Sequence, residues 1–327
     1  MKLIMITEEN KLVKHTQDSL DFGSDYIELS SPKDENTQKK EIIKSTYFND
    51  LSGKEWTAHS KSVQIFNSPI TKKRARHGAA YPISLAKHFV EIYSKEGDTI
   101  FDPFAGVGTT LDAANILKRH SQGIELNPDF IKLFEQGIDI KDGLLNPDYD
   151  RVVHNDTALN LEKYINPNSI DLIVTSPPYS NLLNKIRENF GDKDYVNNTY
   201  KNQSRKLAKA YSESEDDLGN VPYDEYLLSM KNIFNSLMVI AKPGTYNVWV
   251  VRDFRDLDNS IPYINLHGDL IKIATETGWI MWDLIIWDQS NQRKLVMLGG
   301  KKSRRFYFNI GHSFILVFRK NMKGEKF

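Results

Sequence analysis

The stretch that decides the fold is Thr99-Ile100-Phe101-Asp102-Pro103-Phe104-Ala105-Gly106-Val107-Gly108-Thr109-Thr110-Leu111. Thr99 to Phe101 is a short β-branched and aromatic run, and from Thr109 to Arg119 the apolar residues Leu111, Ala114, Ile116 and Leu117 recur at helical spacing. Gly106 and Gly108 between them permit a tight turn and a close backbone approach. Gly123 to Leu126 then gives a second strand, so the unit reads strand, glycine loop, helix, strand.

Working outward, the same alternation continues. Pro128 suits a helix start with Phe130, Ile131 and Phe134 following, and Arg151 to His154 and Ile170 to Val174 are further strands. Residues 223–241 carry the strongest helical period, which Pro243-Gly244 ends before a strand at Tyr246 to Val251. A helix over Leu270 to Thr277 precedes strands at Trp279 to Trp287 and Ser313 to Phe318. No helical period separates these last two, so an antiparallel hairpin is expected. The expected fold class is α/β: a doubly wound, seven-stranded, Rossmann-like sheet with one antiparallel strand supplied by the C-terminal hairpin. Residues 1–60 read as a polar N-terminal extension of unknown role, and 61–327 as the main domain, with inserts at 181–220 and 291–311.

The glycine loop lacks the third small residue of a dinucleotide fingerprint, because position 111 is Leu. The helix start could instead take a carboxylate, and the Asp102 side chain an ammonium. Glu125 ends the second strand 23 residues after Asp102, where an acid holds ribose hydroxyls. Asp156 follows the third strand and could accept from an adenine amine. An amino acid head, a ribose and an adenine together describe S-adenosylmethionine.

At Thr175-Ser176-Pro177-Pro178-Tyr179 the chain leaves the sheet as a stiff extended turn, because two prolines continue neither a ladder nor a helix. Acceptors there are available to an outside donor, and Tyr179 offers a face for a planar ring, a contact worth about 1–3 kcal/mol per base. An aromatic amine such as a nucleobase fits those features.

The chain of 327 residues has no cysteine, which excludes disulfides, cysteine zinc sites and thiolate addition to a ring. No metal-ligand cluster is evident. With 43 basic and 43 acidic residues, attraction to nucleic acid must be local. No apolar run approaches a membrane span, so a cytoplasmic location is expected.

These residues resemble the S-adenosylmethionine-dependent DNA amino-methyltransferases of restriction–modification systems. Asp102 to Thr110, with Pro103, Phe104, Ala105, Gly106, Gly108, Thr109 and Thr110, is similar to that family's cofactor motif. Ser176-Pro177-Pro178-Tyr179 resembles its catalytic motif in the cytosine-N4 form, whereas adenine-N6 members usually begin with Asp. His77 to Pro82, including Tyr81, is similar to the segment enclosing the cofactor's methionine part, and Gly311 to Lys320 resembles the closing strand.

The resemblance implies methyl transfer to the N4 amine of a cytosine flipped out of double-stranded DNA, with Ser176 and Pro177 engaging the amine and Tyr179 stacking. Adenine N6, an RNA base amine and a silent binding protein are the alternatives. A restriction endonuclease encoded separately is the implied partner. Candidate DNA-binding residues are Lys72, Lys73 and Arg74, and Arg293, Lys294, Lys301, Lys302, Arg304 and Arg305 in the acid-free insert 291–311.

Overall fold

The computed structural model describes residues 48–67, 71–78, 80–138, 141–179, 216–256, 261–292, 295, 298–300, 304–322 and 324–325, and of Lys72 only the backbone. An eight-stranded sheet is formed by β1 (Val63–Gln64), β2 (Thr99–Asp102), β3 (His120–Glu125), β4 (Arg151–Asn155), β5 (Ile170–Thr175), β6 (Ala241–Val251), β9 (Ile280–Asp288) and β12 (His312–Arg319), in the order β1-β9-β12-β6-β5-β2-β3-β4. Seven of these are the expected strands. The eighth, β1, is a two-residue edge that pairs parallel with β9 and is too short to carry a period. β12 runs antiparallel to both β6 and β9, and every other pairing in this sheet is parallel, so one strand is reversed, as the missing crossover implied.

Side chains alternate across the strands, and the two faces of the sheet feed different cores. Ile100, Leu172, Val174, Val248, Val250, Ile315 and Val317 pack with α3 (Ile83–Tyr93) and with Ala113 and Ala114 of α4 (Thr109–Ile116). Phe101, Ile173, Trp249, Val251, Leu316 and Phe318 pack on the other face with α6 (Tyr223–Ile240) and α7 (Leu266–Glu276). Near-continuous apolar strands are what a sheet covered on both faces requires.

β6 begins at Ala241, five residues before Tyr246. Ile170 pairs with Ala241 and Leu172 with Tyr246, so Pro243 and Gly244 lie in a bulge within the strand instead of before it. The described residues just before the expected boundary at residue 60 already pack against later elements. Helix α1 (Gly53–His59) starts with a capping box between Ser52 and Glu55. Just before it, Phe48 lies 5.4 Å from the Tyr246 ring, Asn49 donates to the Ile92 carbonyl at 2.7 Å, and Asp50 pairs with Arg119 at 3.0 Å.

Strands β2 and β5 are neighbours whose connections depart to opposite sides. Ligands of open α/β sheets bind beyond the carboxyl ends of the strands at such a reversal. The glycine loop after β2 and the Pro-Pro turn after β5 both start there.

Candidate active site

The junction between loop and turn is made by one buried carboxylate. Asp102, 2% exposed, accepts through Oδ1 from Thr175 Oγ1 at 2.6 Å and from the Phe104 N–H at 3.0 Å. Its Oδ2 accepts from Thr110 Oγ1 at 2.6 Å and from the Tyr81 hydroxyl at 3.4 Å, and the Tyr81 and Thr110 hydroxyls are themselves hydrogen-bonded. Burial pushes the Asp102 carboxyl up, and the donors Thr110, Thr175, Phe104 and Tyr81 oppose it. The Asp102 oxygens, expected to face an ammonium, are met by four protein donors. Asp102 braces the loop against the turn.

Backbone geometry fixes the rest of the loop. Ala105 N–H donates to the Ile124 carbonyl at 2.8 Å, and Gly106 N–H to Glu125 Oε2 at 2.7 Å. Gly106 and Gly108 both have positive φ, 54° and 80°. A Cβ at Gly106 would fall 2.8 Å from His77 Nε2, and one at Gly108 would collide with the Phe134 ring of α5 (Pro128–Glu135). Both glycines are therefore demanded by conformation and by close packing. Thr109 and Thr110 open α4 as buried residues, and no acceptor among the described residues takes the backbone N–H of Thr109, Thr110 or Leu111. An anionic group beyond the loop would meet these amides and the positive end of the helix.

Glu125 is half-buried at the end of β3, with Oε1 accepting from Asn127 N–H at 2.7 Å. Burial raises its carboxyl to about 7, against the lowering effect of the Asn127 and Gly106 amides. Asp156, after β4, accepts from Thr157 N–H at 2.7 Å, Asn160 Nδ2 at 2.8 Å and the Tyr164 hydroxyl at 2.8 Å. Those hydrogen bonds, led by Asn160, keep it below the usual carboxylate range. The site thus has acceptors at two strand ends and free amides at the helix start, and it fits a nucleoside that carries a carboxylate.

On the other side of Asp102, Pro177 is buried and Ser176, Pro178 and Tyr179 are partly exposed. Burial raises the Tyr179 phenol, and Arg252 and Ser176 lie close enough to lower it. Its ring meets Phe254 edge to face at 6.4 Å.

Arg252, Asp253 and Phe254 are site-forming residues that the sequence pattern did not single out, although they follow the carboxyl end of β6. Asp253, fully buried, accepts from the Tyr263 hydroxyl at 2.6 Å and from His267 through both N–H at 3.0 Å and Nδ1 at 2.7 Å. It ties the end of β6 to the small antiparallel pair β7 (Phe254–Asp256) and β8 (Ile261–Ile264) and to the start of α7.

The basic run at 72–76 turns Lys73 and Arg74 inward and leaves Arg76 exposed. It forms α2 (Lys72–His77), in which Lys73 Nζ lies 2.8 Å from Asp112 and 5.2 Å from the centre of the Phe134 ring. Arg151 pairs with the same Asp112 and stacks on the same ring at 4.7 Å. Arg74 is 8% exposed and lies 4.0 Å from Asp142. Lys73 and Arg74 thus anchor α2, and α2 in turn sets His77 against Gly106. Half-buried, His77 is held down to about 4 by desolvation and is neutral at neutral pH. Of the remaining candidates, Arg304 and Arg305 are exposed, while Arg293, Lys294, Lys301, Lys302 and residues 181–215 lie outside the described residues.

Among the described residues there is no cluster that could hold a metal ion, and no helix long and apolar enough to cross a membrane.

A family model described as a DNA methylase matches residues 2–136 and 170–327. The Type II methyltransferase M.MthZI of Methanothermobacter thermautotrophicus is 39% identical over 95 residues, 29% of this chain and 25% of that protein. The Type II methyltransferase M.BglI of Bacillus subtilis is 34% identical over 91 residues, 28% of this chain and 26% of that protein. The aligned stretches therefore span about a quarter of these curated relatives. A solved structure of a candidate DNA modification methylase from Thermus thermophilus, in complex with S-adenosyl-L-methionine, is 18% identical, with coverage of 51% of this chain and 54% of that one and a TM-score of 0.33.

Proposed function

This chain belongs to the DNA methylase family, and we propose that within it the chain methylates the exocyclic N4 amine of cytosine in double-stranded DNA. Its cofactor is S-adenosylmethionine. When bound, the cofactor supplies an electrophilic methyl group. The free first-turn amides of α4 receive its carboxylate, Glu125 its ribose hydroxyls and Asp156 its adenine amine. Asp102 and Tyr81 act indirectly, by holding the loop in shape.

The residues of the turn deal with the weak nucleophile. A cytosine amine is conjugated with its ring, so its lone pair is poorly available. Hydrogen bonds from that amine to Ser176 Oγ and the Pro177 carbonyl favour a tetrahedral nitrogen with a directed lone pair. In-line transfer then depends on positioning and charge stabilisation. Tyr179 stacks on the base after it leaves the duplex. The chain has no cysteine, so thiolate-assisted methylation of a ring carbon has no nucleophile here.

The observation that carries this reading is the 2.6 Å hydrogen bond from Thr175 to Asp102, which holds the turn beside the cofactor loop. Serine before Pro-Pro-Tyr supports cytosine N4 over adenine N6. Similarity to Type II methyltransferases supports a role in restriction–modification, with a separately encoded endonuclease as partner. The test is incubation of the full chain with methyl-labelled S-adenosylmethionine and mixed-sequence duplex DNA, then nucleoside digestion, mass spectrometry and mapping of the modified site. Label in N4-methylcytosine is the expected result; label in N6-methyladenine reassigns the base, and no labelled deoxynucleoside rejects the DNA reading.

A further inference from the structure

Between β9 and β12 the chain forms a short antiparallel ribbon, β10 (Gly299–Gly300) and β11 (Arg305–Phe306), in which Phe306 faces Gly299 and Arg305 faces Gly300. Glycines on the facing strand give these two side chains no cross-strand neighbour to pack on. Phe306 is 77% exposed and Phe308 is 78% exposed, and their rings meet edge to face at 5.3 Å. Two positions apart, they share one side of the chain. Arg304, in the left-handed region at φ 52°, and Arg305 are exposed immediately before them.

This aromatic tip is fastened to the active site. Arg255 donates to the Phe308 carbonyl at 3.0 Å and to the Pro262 carbonyl at 2.6 Å, with its guanidinium 5.2 Å from the Tyr307 ring and 5.3 Å from the Tyr263 ring. Arg252 donates through Nη2 to the Ile310 carbonyl at 2.6 Å, and Phe254, two residues on, meets the Tyr179 ring edge to face at 6.4 Å. The segment after β6 therefore links the stem of the ribbon to the stacking tyrosine.

We propose that Phe306 and Phe308 form an apolar wedge that enters the base stack of duplex DNA beside the base taken into the site, with Arg304 and Arg305 on the adjoining phosphates. The proposal rests on the DNA reading above and goes beyond it by naming the residues that open the stack. Removing a base from a duplex leaves a gap and breaks stacking on both sides. Exposed phenyl rings fill such a gap, and neighbouring cations match the polyanion that carries it. Paired exposed rings beside arginines fit a stacked, negatively charged partner better than a protein surface, and their anchorage to Tyr179 sets them beside the flipped base.

The test uses the full chain with Phe306→Ala and Phe308→Ala together, on a duplex carrying the mapped site and on the same duplex with the target base mispaired, hence already loosened. On the paired duplex the variant is expected to transfer methyl at least about tenfold more slowly than the parent. On the mispaired duplex the deficit should shrink to about twofold, with cofactor affinity unchanged by calorimetry. A Phe306→Leu, Phe308→Leu pair, which keeps apolar volume, should retain most of the rate on the paired duplex. An equal loss on both duplexes, no loss on either, or a leucine pair as impaired as the alanine pair would overturn the wedge while leaving the reaction assignment intact. A parent chain that labels no deoxynucleoside removes both.

Discussion

The loop at 102–110 and the ribbon of β10 and β11 both carry glycines between elements of the same fold, yet they are built in opposite ways. In the loop, Asp102 and Thr110 are buried and their polar atoms are met by protein partners. In the ribbon, Phe306, Phe308, Arg304 and Arg305 are exposed, and the backbone is held by Arg252 and Arg255. A small ligand of fixed shape is served by a pre-formed cradle whose acceptors do not move. A macromolecule is served by side chains that gain their partners on contact.

The largest effect should come from breaking the cradle. Asp102→Ala removes the common acceptor of Thr110, Thr175, Tyr81 and the Phe104 amide, and leaves buried donors without partners. We expect a loss of about 3 kcal/mol in folding stability by denaturant titration, with weakened cofactor binding. If stability is unchanged, the bracing role is wrong.

Ser176→Ala addresses the turn alone. Methyl transfer should fall about a hundredfold at saturating cofactor, while cofactor affinity stays within about twofold. Parallel loss of both would show that Ser176 serves the cofactor and not the base.

Glu125 gives the cradle a pH dependence. Because its carboxyl is raised to about 7 by burial, the folded protein holds that proton well above the ordinary glutamate range. Ribose hydroxyls donate best to the ionised form, so cofactor affinity should rise as pH increases through about 7 and then level off. For the same reason, the Glu125 contribution to stability falls as pH rises from the ordinary glutamate range to about 7. Glu125→Gln should weaken binding about tenfold above the transition and flatten the profile measured by calorimetry. A profile unchanged by the substitution would assign the titration elsewhere.

The smallest effect concerns the ribbon's charges. Arg304→Ala with Arg305→Ala should leave cofactor affinity unaltered and lower the slope of log DNA affinity against log salt by about two. An unaltered slope would remove these arginines from the phosphate contacts.

The loop and the turn are legible because each is written in one short run: the glycines fall within 102–110, and the two prolines are adjacent at 177 and 178. The doubly wound order followed from alternating strand and helix periods, and the reversed strand from a missing helix. The inward orientation of Lys73 and Arg74 is not legible locally, because it is set by Asp112 and Asp142, which lie far along the chain and whose pairing no local period reports. Strand β1 is too short for a pattern, and the bulge that keeps Pro243-Gly244 within β6 depends on pairing with β5. Helix α1 could have been found from Ser52 and Glu55, a capping box written in the sequence. The Asp253 network could have been sought at the carboxyl end of β6, but the convergence of Tyr263 and His267 on it is tertiary.

The central claim is that the buried hydrogen bond from Thr175 to Asp102 couples the loop half of the site to the turn half. Thr175→Val keeps the shape of the side chain and deletes the 2.6 Å hydrogen bond to Asp102. Calorimetric titration of that variant with S-adenosylmethionine is the most direct test, because Thr175 belongs to the strand that carries the catalytic turn. Affinity about five- to tenfold weaker than the parent's is the predicted result, corresponding to one buried hydrogen bond. Unchanged affinity, with methyl transfer alone reduced, would contradict the account and make loop and turn independent.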